Sequence, residues 1–257
     1  MFSKRVLKDK LKRILPERLV RPLRDLYLEH GSGYAVQSYS QEGEDLLVMS
    51  LLENRRDGFY VDVGAHHPKR FSNTQIFYES GWSGINIEPN PEALEKFRVH
   101  RKRDVNLCMG VGLEKGSMEY YVLDEPALNS FDQALTRERL SRGKCRLVET
   151  LEVQVLPLKE ILQKWALKRS IDFLNVDAEG MDLEVLRSND WNSFRPRVVA
   201  VELLESATEE IVSGDIYSFL SELGYRLIAK TQRTGLFMSA EEWRPVAPQL
   251  ETVRDLP

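Results

Sequence analysis

A chain of 257 residues, 42% hydrophobic and 30% charged, is long enough for one large-cored α/β domain plus an extension and requires no second domain. A formal net charge of −4 at pH 7 gives no overall reason to expect nucleic acid. Cys108 in an apolar run and Cys145 in a basic loop are too few and too differently placed for a disulfide frame or a zinc knuckle, which fits a reducing cytoplasm, and no apolar run approaches the length of a bilayer span.

From Met1 to about Arg24 basic residues far outnumber acids, and Leu7, Leu11, Ile14 and Leu15 recur at helical spacing, which predicts a basic amphipathic helix. Pro16 interrupts it, and Pro22 is placed to open another short helix. Two uses are open for residues 1–24: packing of the apolar stripe on the main domain or a partner subunit, or peripheral docking on the anionic inner face of a membrane. Scarce aromatics argue against single-stranded nucleic acid. His30 to Gly33 reads as a linker, so the expected division is an extension over 1–33, a main domain over 34–245 and a tail over 246–257.

Ser38 or Ser40 can cap a helix over 41–53, whose first turn holds Glu42, Glu44 and Asp45 at the positive end of its dipole. Strand signals follow at 59–63, 83–87, 105–109, 153–156, 171–176 and 197–202, alternating with helices at 72–80, 91–98, 157–168, 180–187 and 208–223. That alternation predicts a mostly parallel twisted sheet with helices on both faces. Asn90 followed by Pro91 is a helix start, Gly112 to Val122 resembles a hairpin, and 225–230 with 236–239 forms an antiparallel terminal hairpin. The charged stretch 124–150 is left as the variable loop that would meet a polar substrate.

In such a sheet a ligand lies beyond the carboxyl ends of the strands. Asp62, Gly64 and Ala65 end the first strand, Glu88 the second, and Met109, Gly110 and Val111 the third. Gly64 permits a sharp turn and a close backbone approach. Glu88 is placed to accept hydrogen bonds from ribose hydroxyls, and Met109 and Gly110 to flank an adenine. A single glycine is too few for a pyrophosphate cradle, and Asp62 beside it suits a ligand with a positive amino group, such as S-adenosylmethionine (SAM). Asp177 and Glu179 follow the strand ending at Val176, and Glu202 ends the next. These three carboxylates are candidates for orienting and deprotonating an acceptor, or for holding a divalent cation such as magnesium; capping of the helix dipole is the plainer alternative. His66 or His67 is a rival base, and turn formation is the alternative use of His-His-Pro.

The runs SQEGED at 40–45, DVGAHHP at 62–68, SNT at 72–74, GWSGINIEPNP at 81–91 and DFLNVDAEGMDLEVL at 172–186 resemble the FkbM-like family of SAM-dependent methyltransferases, in the family's order. The resemblance spans about 38–240 and implies a Rossmann-like class I methyltransferase fold with SAM as cofactor. It further implies that Gln41, Ser72, Asn73 and Pro89 join Asp62, Gly64, Ala65, Glu88, Met109, Gly110, Val111 and Asp177 around the cofactor, and that a sugar or glycan hydroxyl is the acceptor. The sequence leaves two other readings: a nucleoside-binding scaffold without catalysis, and a nicotinamide-dependent oxidoreductase, which the missing pyrophosphate glycines disfavour. It leaves open the acceptor, the general base, the metal and the oligomeric state.

Overall fold

A computed structural model describes residues 17–30, 36–205 and 207–243. The chain divides into two compact units, Met1–Ser38 and Tyr39–Pro257. In the first, helix α1 (Glu17–His30) runs through Pro22, where the sequence suggested a fresh start. The proline sits in its second turn, so only one early backbone hydrogen bond is lost. The amphipathic stripe expected at Leu7 to Leu15, the linker glycines and the tail beyond 243 lie outside the described residues.

The second unit is built on a seven-stranded sheet in the order β3-β2-β1-β7-β8-β10-β9. Its strands are β1 (Phe59–Val63), β2 (Ser83–Ile87), β3 (Val105–Leu107), β7 (Phe173–Val176), β8 (Val198–Glu202), β9 (Tyr225–Lys230) and β10 (Thr234–Ser239). All run parallel except β10, which lies antiparallel between β8 and β9. This is the mostly parallel Rossmann-like class I methyltransferase architecture expected from the sequence. Helices α2 (Glu44–Leu51), α3 (Gln75–Glu79), α4 (Pro91–His100), α6 (Leu158–Trp165), α7 (Asp182–Arg187), α8 (Thr208–Ser213) and α9 (Asp215–Glu222) belong to this unit, with α5 introduced below.

Alternation along the central strands builds two cores. Val61, Val63, Leu174, Val176, Val199 and Val201 pack with Leu158, Ile161, Leu162 and Leu220 on one face. Tyr60, Phe173, Val198 and Ala200 pack with Val48, Leu52, Phe77 and Trp82 on the other. Burial on both faces explains why these strands read as near-continuous apolar runs.

Several boundaries differ from the sequence expectation. Helix α2 begins at Glu44 because Gly43, at φ 87°, turns the chain first, while Ser40 Oγ takes the Gly43 N–H at 3.1 Å. The helix expected over 208–223 is two helices meeting at Gly214, whose extended ψ of 153° interrupts the turn. Strand β3 stops at Leu107; Gly110–Val111 instead form β4 in a separate three-stranded sheet, order β4-β6-β5, with β5 (Gly116–Leu123) and β6 (Leu147–Leu156). Between β5 and β6, the presumed loop contains a 3-10 turn (Pro126–Leu128) and helix α5 (Gln133–Ser141). Among the described residues no helix is long and apolar enough to cross a membrane.

Helix α4 starts as expected: Asn90 Oδ1 accepts the Glu92 and Ala93 N–H groups at 2.9 and 3.5 Å, and Pro91 follows it. Asn90→Ala is therefore expected to cost about 1 kcal/mol of stability by chemical denaturation, the usual value for a lost helix cap.

Candidate functional site

Strand order reverses between the parallel strands β1 and β7: β2 and β3 extend the sheet to one side of β1, and the chain then crosses back to lay β7 on the other. Such a reversal opens a crevice beyond the strand ends. A cleft lies there, lined among others by Gln41, Glu44, Asp62, Gly64, Ala65, His66, Ser72, Asn73, Glu88, Pro89, Met109, Gly110, Val111, Asp177, Glu179 and Glu202. Every site residue expected from the sequence borders it except His67. That side chain serves the turn instead, its Nδ1 accepting the Lys69 and Arg70 N–H groups at 3.1 and 3.0 Å.

The tips of β1 and β7 touch. Asp177 N–H donates to Val63 O at 3.0 Å, and Gly64 stands at φ 75° with the Asp177 carbonyl against its Cα. A Cβ at Gly64 would lie 1.8 Å from that oxygen. The glycine is thus demanded by the protein's own backbone at the sharp turn expected from the sequence. At Gly110, which lines the cleft, a Cβ would meet Phe131 at 2.5 Å and Val155 at 2.8 Å, so the protein's own packing also calls for a glycine there.

Glu88 leaves the tip of β2 and is buried; its Oε2 accepts the His66 N–H at 2.7 Å and its Oε1 the Asn90 N–H at 2.8 Å. Two backbone donors fix both oxygens, and each keeps a lone pair for a hydroxyl donor. Burial raises its pKa to about 7, against the lowering effect of those hydrogen bonds. His66, at φ 54°, stacks its ring near Phe71. Burial, followed by the Arg70 and His67 charges, lowers its pKa to about 4, and its Nε2 is buried without a hydrogen-bond partner. A neutral imidazole this weakly basic is poorly matched to proton abstraction near neutrality.

At the other end of the cleft Asp177, Glu179 and Glu202 each present a carboxylate oxygen within 4.8 Å of the others. Asp177 is exposed at the cleft, and the protein mass around its carboxyl disfavours the charge. That desolvation, with the charges of Glu202 and Glu179, holds its carboxyl well above the ordinary range. Glu202 is raised to about 8, again by desolvation first and by Glu179 second. Glu179 is raised by desolvation against the pull of Arg139, whose guanidinium bonds it. Asp182 stays out of the cleft lining: it accepts the Ala178 and Gly180 N–H groups at 2.9 and 3.3 Å and closes the turn after β7.

Of the segment 124–150, residues 126–131 form a wall of this site. Ser130 Oγ donates to Glu179 O at 2.7 Å, Arg139 Nη1 donates to Leu128 O at 2.7 Å, and Asn129, Ser130 and Phe131 line the cleft. Arg139 and Arg233 escaped the sequence reading. Arg139 meets Glu179 across forty positions, and no local pattern announces such a pairing. Asn175 escaped too, although strand alternation could have found it two residues before Asp177 on the same face.

A family model described as the methyltransferase FkbM domain matches residues 62–227. No curated protein matches the chain. Among solved structures, it is similar to a methyltransferase from Geobacter sulfurreducens, at 15% identity over 92% of this chain and 98% of that one, with a TM-score of 0.38. A precorrin-6y C5,15-methyltransferase from Geobacter metallireducens GS-15 is 12% identical over 79% and 92% of the two chains, TM-score 0.40. The human methyltransferase 10 domain containing protein is 13% identical over 87% and 96%, TM-score 0.37.

Proposed function

We infer, from the premise that this chain belongs to the family of FkbM-domain methyltransferases, that it transfers a methyl group from SAM to a hydroxyl of a sugar or glycan. The observation that carries the hydroxyl reading is the cluster of Asp177, Glu179 and Glu202 on neighbouring strand tips. A hydroxyl must lose a proton as it is methylated, and a carboxylate whose affinity for protons is raised is suited to take it. When bound, SAM supplies an electrophilic methyl on a positive sulfur, so the chain needs no covalent nucleophile.

The chain's residues then have three tasks. Glu88 holds the ribose hydroxyls and, through the His66 N–H, keeps the loop after β1 in place. Asp177 aligns the acceptor hydroxyl and receives its proton, which places the oxygen for in-line attack. Glu179, fixed by Arg139 and Ser130, and Glu202 keep the surroundings polar and negative. A divalent cation fits the same donor set, since Asp177, Glu179 and Glu202 offer three hard oxygen ligands; held there, it would acidify the acceptor hydroxyl.

The Glu88 assignment predicts a pH dependence. Its pKa in the folded protein is about 7, and the ionised form is the stronger acceptor for ribose hydroxyls. Nucleoside affinity should therefore rise as pH increases from 6 to 8. 5′-Methylthioadenosine, which lacks the cofactor's titratable α-amino group, shows this cleanly by calorimetry. Glu88→Gln should flatten the profile, and a wild-type profile already flat would remove Glu88 from the ribose.

The reading is tested by incubating the protein with methyl-labelled SAM and a panel of nucleotide-sugars and glycans, with and without chelator. The expected product carries an O-methyl group by NMR, and activity lost to chelation and restored by magnesium assigns the three acids to the cation. Label on nitrogen would overturn the hydroxyl acceptor, while cofactor binding without transfer to any acceptor would favour a non-catalytic scaffold.

A further inference from the structure

Asp62, expected from its position to meet the cofactor's amino group, is occupied within the protein. It is 2% exposed; Thr74 Oγ1 donates to its Oδ2 at 2.6 Å and Asn175 Nδ2 to its Oδ1 at 2.9 Å. Behind Thr74 stands the fully buried Arg101, whose Nη2 donates to Thr74 Oγ1 at 3.3 Å and to Ser72 Oγ at 3.0 Å. These contacts fix the amide orientations beyond Asp62. A carboxylate only accepts, so Asn175 must turn its Nδ2 toward Asp62 and its Oδ1 away. That Oδ1 then accepts from Asn73 Nδ2 at 2.9 Å, which leaves Asn73 Oδ1 as the free end of the chain of contacts.

Asn73 is 8% exposed, lines the cleft, and its Oδ1 is buried without a hydrogen-bond partner. A buried acceptor left unpaired is unfavourable unless a donor arrives. The place of this atom narrows the donor. Asn73 is bonded to β7, on the opposite side of β1 from Glu88 on β2. A cofactor whose ribose lies at Glu88 and whose methyl faces Asp177 brings its amino-acid portion to the β1 and β7 side. The acid Glu44 lines the same cleft and favours a positive group.

We propose that Asn73 Oδ1 is the acceptor for the α-ammonium of the bound cofactor, and that Asp62 acts one step removed by fixing the orientation of Asn175 and hence of Asn73. This deepens the reading that the cleft holds SAM, and its test separates the two. Calorimetry would compare S-adenosylhomocysteine with the same thioether lacking the α-amino group, in the wild type and in Asn73→Leu. The wild type should bind the amino form at least about tenfold more tightly, the usual scale of a hydrogen bond to a charged group. Asn73→Leu should lose that preference while binding the deaminated ligand as the wild type does. Asn73→Ser, smaller and still polar, serves as the second variant should leucine prevent folding, and should lose most of the preference. A variant that keeps the full preference, or weakens both ligands equally, overturns the assignment and leaves water as the partner of Oδ1. A wild type that binds neither ligand overturns the cofactor reading together with it.

Discussion

Asp177→Asn is expected to lower turnover by about two to four orders of magnitude while leaving SAM affinity nearly unchanged. An asparagine has the shape of a protonated carboxyl and cannot accept a proton, so the variant fixes the cluster in the form unable to complete the reaction. Desolvation and the charges of Glu202 and Glu179 give Asp177 the raised proton affinity that this role uses. Single-turnover kinetics with a verified acceptor separate the loss of chemistry from any change in binding. Full activity in Asp177→Asn would move the proton to Glu202, the neighbouring acid whose pKa is about 8. His66, at about 4, is the weaker rival.

Gly64→Ala is expected to destabilise the fold by about 3 kcal/mol or more, read from chemical denaturation at constant slope. Two costs combine. A non-glycine residue at φ 75° is strained, and the new Cβ would stand 1.8 Å from the Asp177 carbonyl oxygen. Relief requires the tips of β1 and β7 to part, which would break the Asp177 N–H to Val63 O bond of 3.0 Å. Cofactor binding would then be lost along with local structure. A stable Gly64→Ala with a selective binding defect would contradict the backbone contact and return the glycine to the ligand.

The central strands were legible because both faces of the sheet are buried. Phe59–Val63 and Ser83–Ile87 are largely apolar, broken only by Asp62 in the first and by Ser83 and Asn86 in the second, and they occur where the sequence placed them. The strand tips were legible for a related reason: Asp62, Glu88, Asp177 and Glu202 end or follow apolar runs, so the topology alone gathers them at one cleft. The small sheet was not legible. Its longest strand, Leu147–Leu156, has a first half that is mostly exposed and so shows no buried face, and its pairing to Gly116–Leu123 is set across the whole of α5. Helix α5 itself has polar residues nearly all round and buries only Thr136, so no apolar stripe marked it.

Residue roles were less legible than residue positions, because identity at a strand tip does not reveal which lone pairs the fold has already used. Asp62 has the right charge and place for an ammonium, yet Thr74 and Asn175 occupy it. His67 has the chemistry of a base but holds the backbone of its own turn. Gly110 lines the cleft, yet its lack of a side chain is also required by Phe131 and Val155 packed against it. In each case the deciding contact joins residues that only the folded chain, or a specific turn geometry, brings together.

The most direct measurement of the central claim is a calorimetric titration of S-adenosylhomocysteine into the wild-type protein, with NAD titrated in parallel. The cleft between β1 and β7 predicts one saturable site for S-adenosylhomocysteine and no heat from NAD. Saturable binding of NAD with no response to S-adenosylhomocysteine would contradict the account.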